Sequence, residues 1–128
     1  MVKRLRRLRG FTLLELMIAM AIVATLLTLV APRYLASIDR AKEAVLRDDL
    51  HTMRKVIDQF QADRGRFPTS LDELVTLRYL REIPVDPLTE RADSWRITPP
   101  PAGMGGNVAD VHSGASGQAS DGSPYASW

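Results

Sequence analysis

The chain has 128 residues, 45% apolar and 25% charged, with 17 Lys+Arg against 15 Asp+Glu, two His and no Cys. That is one small domain at most, without a disulfide framework, a cluster of thiolate metal ligands or thiol redox chemistry. Five of the cations (Lys3, Arg4, Arg6, Arg7 and Arg9) fall in the first nine residues, and without residues 1–10 the balance is 12 cations against 15 acids. The basic character is local to a leader. The remainder mixes both signs instead of carrying the basic face that nucleic-acid binding requires, so no nucleic-acid partner is expected.

Phe11 to Ala31 (FTLLELMIAMAIVATLLTLVA) is 21 residues with a single charged member, Glu15. A helix of that length covers about 31 Å, against a bilayer core of about 30 Å, and it lacks the polar face that a core helix in a small domain would show. The cations on its N-terminal side keep residues 1–10 in the cytoplasm and place Arg33 onward across the membrane. A cleaved secretory signal would have a shorter apolar stretch ending in a small-x-small site, which LTLVAPRYLAS does not offer. Thr12-x-x-Glu15 has capping-box spacing, so a plain anchor helix starting at Thr12 accounts for Glu15 with no further function. Against that reading, a carboxylate within lipid costs about 2.5–3.5 kcal/mol on insertion scales and should find a partner.

Pro32 lacks an amide hydrogen and disfavours helix at Ala31, which predicts a kink or local melting at the membrane edge. The helical pattern then resumes over residues 32–64. Ile38, Val45, Leu46, Leu50, Met53, Val56, Ile57 and Phe60 recur at steps of three and four, with Asp39, Arg40, Lys42, Asp48, Asp49, Arg54, Lys55 and Asp58 between them. Gly65 is a natural stop. One helix of about 50 residues results, apolar all round in its first half and striped in its second, and the stripe needs a small domain to cover it.

Residues 65–128 must supply that domain. Ser70-x-x-Glu73 is a capping box ahead of a short helix running to about Tyr79, with Leu71, Leu74, Val75 and Leu80 on its apolar face. Ile83-Pro84-Val85-Asp86-Pro87 cannot be helical. Ser94–Thr98 reads as a strand with Trp95 and Ile97 on one side, and Val108–His112 as a second. Six of the eight glycines lie between residues 103 and 122, so this end is rich in loops around a weak sheet of two or three strands. The fold class is α+β.

Arg9-Gly10-Phe11-Thr12-Leu13-Leu14-Glu15-Leu16, a short basic leader, an apolar helix of about 20 residues and Pro32 at its outer end together resemble the start of type IV pilins and type II secretion pseudopilins. The resemblance continues through FP-x-S-L-x-E-L, IP-x-DP, Trp95 and a glycine-rich end closing on Tyr125 and Trp128, which is similar to the major pseudopilins of type II secretion. It implies a type IV pilin-like fold. It also implies that a prepilin peptidase cuts between Gly10 and Phe11 and methylates the new amino terminus, leaving 118 residues. Glycine without a side chain gives a protease access to extended backbone just before the helix. Cleavage removes five cations and exposes an amine at Phe11, four residues from Glu15 and its natural counter-charge. Paired between neighbouring chains, the two groups set the register of a helical filament; paired within one chain, they only neutralise each other.

What the resemblance implies about function is a structural, non-enzymatic subunit, Gly10 and Phe11 being its processing residues and Phe11, Glu15 and Pro32 its assembly residues. Held in the bacterial inner membrane by a single span, with its C-terminal domain in the periplasm, the subunit polymerises into a pseudopilus that exports folded proteins across the outer membrane. Its partners are then further copies of itself, minor pseudopilins, the prepilin peptidase, an inner-membrane platform protein and, indirectly, an assembly ATPase. The alternatives are a type IV pilin of a surface pilus, whose usual C-terminal cysteine pair is missing here, and a membrane-anchored interaction module that does not polymerise.

Major pseudopilins of this kind often bind calcium in the C-terminal loop. Here Asp110 and Asp121 are the only acids after residue 93, and Ser113, Ser116, Ser120 and carbonyl oxygens would have to complete six to eight ligands. The expectation is therefore no cofactor and a loop anchored by Tyr125 and Trp128, with calcium as the alternative. Asp110-Val-His112-Ser113 has the residue types of a hydrolase triad, but adjacent strand residues face opposite sides, and no nucleophile elbow accompanies them. His51, beside Arg47 and Lys55, reads as a solvated surface residue.

Overall fold

The computed structural model describes residues 9–128; residues 1–8, most of the expected leader, lie outside the described residues. Helix α1 runs from Leu13 to Arg64, a short helix α2 from Leu71 to Thr76, and strands β1 (Arg96–Thr98) and β2 (Asp110–His112) pair antiparallel, followed by a single 3-10 turn at Tyr125–Ser127. This is the expected α+β class. Two compact units divide the chain, one ending at Ser37 and the other Ile38–Trp128.

In the first unit α1 starts where Thr12 can cap it. The Glu15 amide donates to Thr12 Oγ1 at 3.2 Å and the Leu16 amide to the Thr12 carbonyl at 3.1 Å. From Leu13 to Val30 the large apolar side chains are exposed all round, and the segment is long and apolar enough to cross a membrane. The helix does not melt at Pro32, which lies inside it. Proline forfeits a single amide bond, the one its predecessor four residues back would accept, and the intact turns on either side carry the helix across.

In the second unit the stripe is buried as its spacing requires. Leu46, Leu50, Met53, Ile57 and Phe60 are 0–2% exposed, while Val45, off the register, is 50% exposed. Leu71, Leu74, Trp95, Val108 and Val111 complete the core around them. Gly65, with φ of +67°, ends α1. Gly106 marks a close approach: its φ is +95°, and a Cβ there would lie 2.1 Å from the Phe67 carbonyl oxygen, so only glycine lets that loop reach the α1–α2 connection.

Helix α2 stops sooner than its sequence predicts. Arg78 takes φ of +63°, its amide donates to the Val75 carbonyl (3.1 Å), and the Tyr79 amide donates to Leu74 (2.9 Å). That is a Schellman closure with arginine where glycine usually sits, so no stop signal is legible at that position. The strand reading changes too. Trp95 precedes β1 and is 8% exposed with its indole N–H on the Pro84 carbonyl at 2.7 Å, whereas Ile97 is 48% exposed. The two do not share a buried side, because the indole is drawn toward the IP-x-DP segment and β1 lies with all three residues exposed. The sheet has two strands, paired Ile97 to Val111.

The capping box of α2 is made in a shifted form. The Glu73 amide donates to Ser70 Oγ at 3.3 Å, but the Glu73 carboxylate reaches past Ser70 to the Thr69 amide at 2.6 Å and is clamped by Arg66. The Arg66 guanidinium, followed by the Thr69 amide, holds the Glu73 carboxyl down at about 2. A carboxyl depressed by folding stabilises the fold fully above its unfolded range, and that contribution is lost as pH falls through the folded value. Glu73→Gln is therefore expected to cost about 1 kcal/mol at pH 7 and much less near pH 2, checked by thermal melts of both chains at the two pH values.

Candidate functional site

The N-terminal site is built by the start of α1. Gly10 lies ahead of the helix, is exposed, and has nothing within 4 Å of where a Cβ would stand; Phe11 is 86% exposed. The Gly10–Phe11 bond is thus open backbone two residues before the first helical residue. The Thr12 hydroxyl engages the Glu15 amide, and among the described residues no hydrogen bond or ion pair holds the Glu15 carboxylate. Arg9, Gly10, Phe11 and Glu15 border one shallow hollow. Pro32 stands apart from this group, 17 residues up the same helix, or about 25 Å.

The second candidate is the loop closing on Tyr125 and Trp128, which three side chains of α1 hold. Glu43, only 3% exposed, accepts the Ser120 amide (2.7 Å), the Ser120 hydroxyl (2.6 Å) and the Tyr125 hydroxyl (3.1 Å). The Ser120 hydroxyl, against the opposing effect of burial, holds the Glu43 carboxyl below its usual value. One turn on, the Arg47 guanidinium lies over the Trp128 ring, 4.3 Å from its centre, and 3.8 Å from Asp121. Arg54 donates to Asp110 Oδ1 (2.7 Å), the Val111 carbonyl (2.9 Å) and the Trp128 carbonyl (2.7 Å). Tyr125 and Trp128 meet edge to face at 5.3 Å.

Sequence reasoning named Tyr125 and Trp128 as the anchors and missed Glu43, Arg47 and Arg54 beneath them. For Glu43 a signal existed: it stands three residues before Leu46 and seven before Leu50, in register with the buried stripe. A charge at such a position must be paired or hydrogen-bonded.

The triad residue types are kept apart. Ser113, fully buried, donates to Asp86 Oδ2 at 2.5 Å, whereas His112 Nδ1 sits 2.5 Å from the Trp128 carbonyl. Asp86 also accepts the Leu88 amide at 2.9 Å, so the Ser113–Asp86 pair fastens the IP-x-DP turn to the end of β2. His51 is exposed on α1.

An exposed apolar helix with an open Gly-Phe junction before it, continuing as the spine of a small helix-and-sheet unit, is the architecture of the pilin-like proteins. The family model described as a prokaryotic N-terminal methylation motif matches residues 5–31. The chain is 30% identical to the type II secretion system core protein G of Aeromonas hydrophila, over 64% of this chain and 68% of that protein. It is 29% identical to the core protein G of Klebsiella michiganensis, over 86% of this chain and 78% of that protein. A shorter stretch is 39% identical to the core protein G of Xanthomonas campestris pv. campestris; it covers 52% of this chain and spans about half (47%) of that relative. No solved structure matches the chain. The chain belongs to the type II secretion system core protein G family, the major pseudopilins.

Proposed function

We propose that this pseudopilin is the polymerising subunit of a type II secretion pseudopilus, whose growth drives folded proteins across the outer membrane. Residues 1–10 are a leader removed by a prepilin peptidase. Residues 11–31 anchor the chain once in the inner membrane, N-terminus in the cytoplasm, and then pack among like segments in the filament. Residues 32–64 carry the periplasmic unit completed by residues 65–128. Minor pseudopilins, a platform protein and, through it, a cytoplasmic ATPase are the partners. The subunit itself performs no catalysis.

The observation that carries this reading is the N-terminal arrangement: an accessible Gly10–Phe11 bond just ahead of an apolar helix that nothing among the described residues covers, with one carboxylate, Glu15, left for an outside partner. Cleavage creates an amine at Phe11 of matching charge. Between neighbours, that pair draws each incoming subunit to one axial level while the apolar segments exchange lipid for one another. Pro32, the one residue in α1 without an amide hydrogen, marks where the helix leaves the membrane layer.

Intact-mass spectrometry of the protein from membranes, with and without active peptidase, tests this directly. The expected product has lost Met1–Gly10 and gained one methyl group on Phe11. An uncleaved N-terminus in the presence of active peptidase would reduce the chain to a single-span anchor.

A further inference from the structure

The C-terminal loop of a major pseudopilin is a place where calcium is expected, and the donors here do not fit that ion. Calcium takes six to eight oxygen ligands converging at about 2.3–2.6 Å. The two carboxylates of this segment are instead separately engaged. Asp110 Oδ1 accepts from Arg54 and from the Val111 amide at 2.8 Å, while Asp121 Oδ1 accepts the amide and hydroxyl of Ser123 at 2.9 and 2.5 Å. Glu43 is occupied by Ser120 and Tyr125. Among the described residues no three His, Cys, Asp or Glu side chains gather as a metal site. The guanidinium groups of Arg47 and Arg54 already stand against the loop, where a divalent cation would meet like charge.

We propose that the Arg54 guanidinium serves as the built-in cation of this loop and that, together with the Glu43 carboxylate, it closes the C-terminal segment onto α1 without calcium. The ligand classes are those a metal ion would have drawn together: one carboxylate oxygen of Asp110 and two backbone carbonyls, Val111 and Trp128. A planar group with five N–H donors can hold all three at 2.7–2.9 Å at once. It joins β2 to the chain end, so one side chain of α1 fixes both. The His112 ring completes the arrangement: a proton on Nδ1 bonds the Trp128 carbonyl, which leaves its 3.4 Å approach to Arg54 a contact only, and Nε2 faces Asp110 Oδ2 at 3.5 Å. Glu43 does the complementary work with the opposite charge. It gathers donors, where Arg54 gathers acceptors, from the stretch between Ser120 and Tyr125.

The division of labour explains why the loop is poor in acids. A metal site needs several carboxylates to offset two positive charges, whereas a guanidinium carries one, and among the loop's side chains Asp110 answers it. It also makes lysine an inadequate substitute, since a point charge on a flexible stem does not present a fork to three acceptors.

The test uses the full chain in detergent micelles, with calcium chloride and EGTA as probes and thermal melting, isothermal calorimetry and hydrogen exchange as readouts. The wild-type chain is expected to melt at the same temperature in 2 mM calcium and in EGTA, with no calorimetric binding. Arg54→Ala is expected to melt roughly 5–10 °C lower and to speed amide exchange over residues 119–128, and Arg54→Lys to recover less than half of the loss. A melting temperature that falls in EGTA, or measurable calcium binding, would overturn the proposal. So would an Arg54→Ala chain whose melting and exchange match wild type. If Arg54→Ala fails to fold, the wild-type comparison in calcium and EGTA still decides. These readouts concern the single subunit and do not depend on polymerisation, so their outcome is separable from that of the filament reading.

Discussion

Phe60→Ala is expected to lower stability by about 3–5 kcal/mol, the largest loss from any single side chain in this protein. The ring is fully buried, stands 5.1 Å from the Tyr79 ring, and has the Arg66 guanidinium 5.1 Å from its centre. It is the last member of the α1 stripe, and through Tyr79 it ties α1 to the Schellman turn that ends α2. Truncation therefore removes apolar burial and leaves a cavity between elements that Gly65 and Gly106 already hold close, with little freedom to collapse. Small domains have about 5–15 kcal/mol in total, so a large share of the folded state's margin goes, and melting should fall by roughly 15–30 °C. Val45→Ala, at a position 50% exposed on the same helix, should stay within about 0.5 kcal/mol. Circular-dichroism melts of the three full-length chains decide it. A fall of only a few degrees for Phe60→Ala would mean that the stripe is not what holds the unit together.

Glu15→Gln is expected to leave insertion and cleavage intact and to cut filament yield roughly a hundredfold. Gln keeps the size of the side chain and the Thr12 cap, which uses only the Glu15 amide. What it removes is the charge. If the Phe11 amine of a neighbour is the partner, that amine stays unpaired among apolar helices, a cost of about 2.5–3.5 kcal/mol per subunit. That energy corresponds to roughly a hundredfold in association. Intact mass gives the cleavage state of the variant and electron microscopy of sheared material its filaments. Processed Glu15→Gln that still forms normal filaments would show that assembly does not need the Glu15 charge.

Much of this was legible in the residues because it is local. The three-and-four spacing from Leu46 to Phe60, the glycine at 65 and the serine at 70 each act within a turn or two, and the structure puts α1, its stop and the α2 cap there. The pieces that were not legible depend on partners far along the chain. Glu43 meets Ser120 77 residues away, and Arg54 meets the Trp128 carbonyl 74 residues away. Periodicity says which side of a helix is polar; it carries nothing about which polar residue on that side will be claimed by a distant loop. Arg78 in a left-handed turn and Trp95 turned toward Pro84 are misreadings of the same origin, since tertiary contacts overrode the local preference in both.

The small sheet bears on how such a protein avoids sticking to itself in the wrong way. Strands of three residues present few free amides and carbonyls, and β1 runs directly into Pro99, Pro100 and Pro101, which have no amide hydrogen to give. A stray chain seeking an edge to extend finds almost no ladder to add to. Cross-strand growth, the route that ends in amyloid, is thereby disfavoured, and the long helix offers no such edge because its backbone groups are satisfied within the chain.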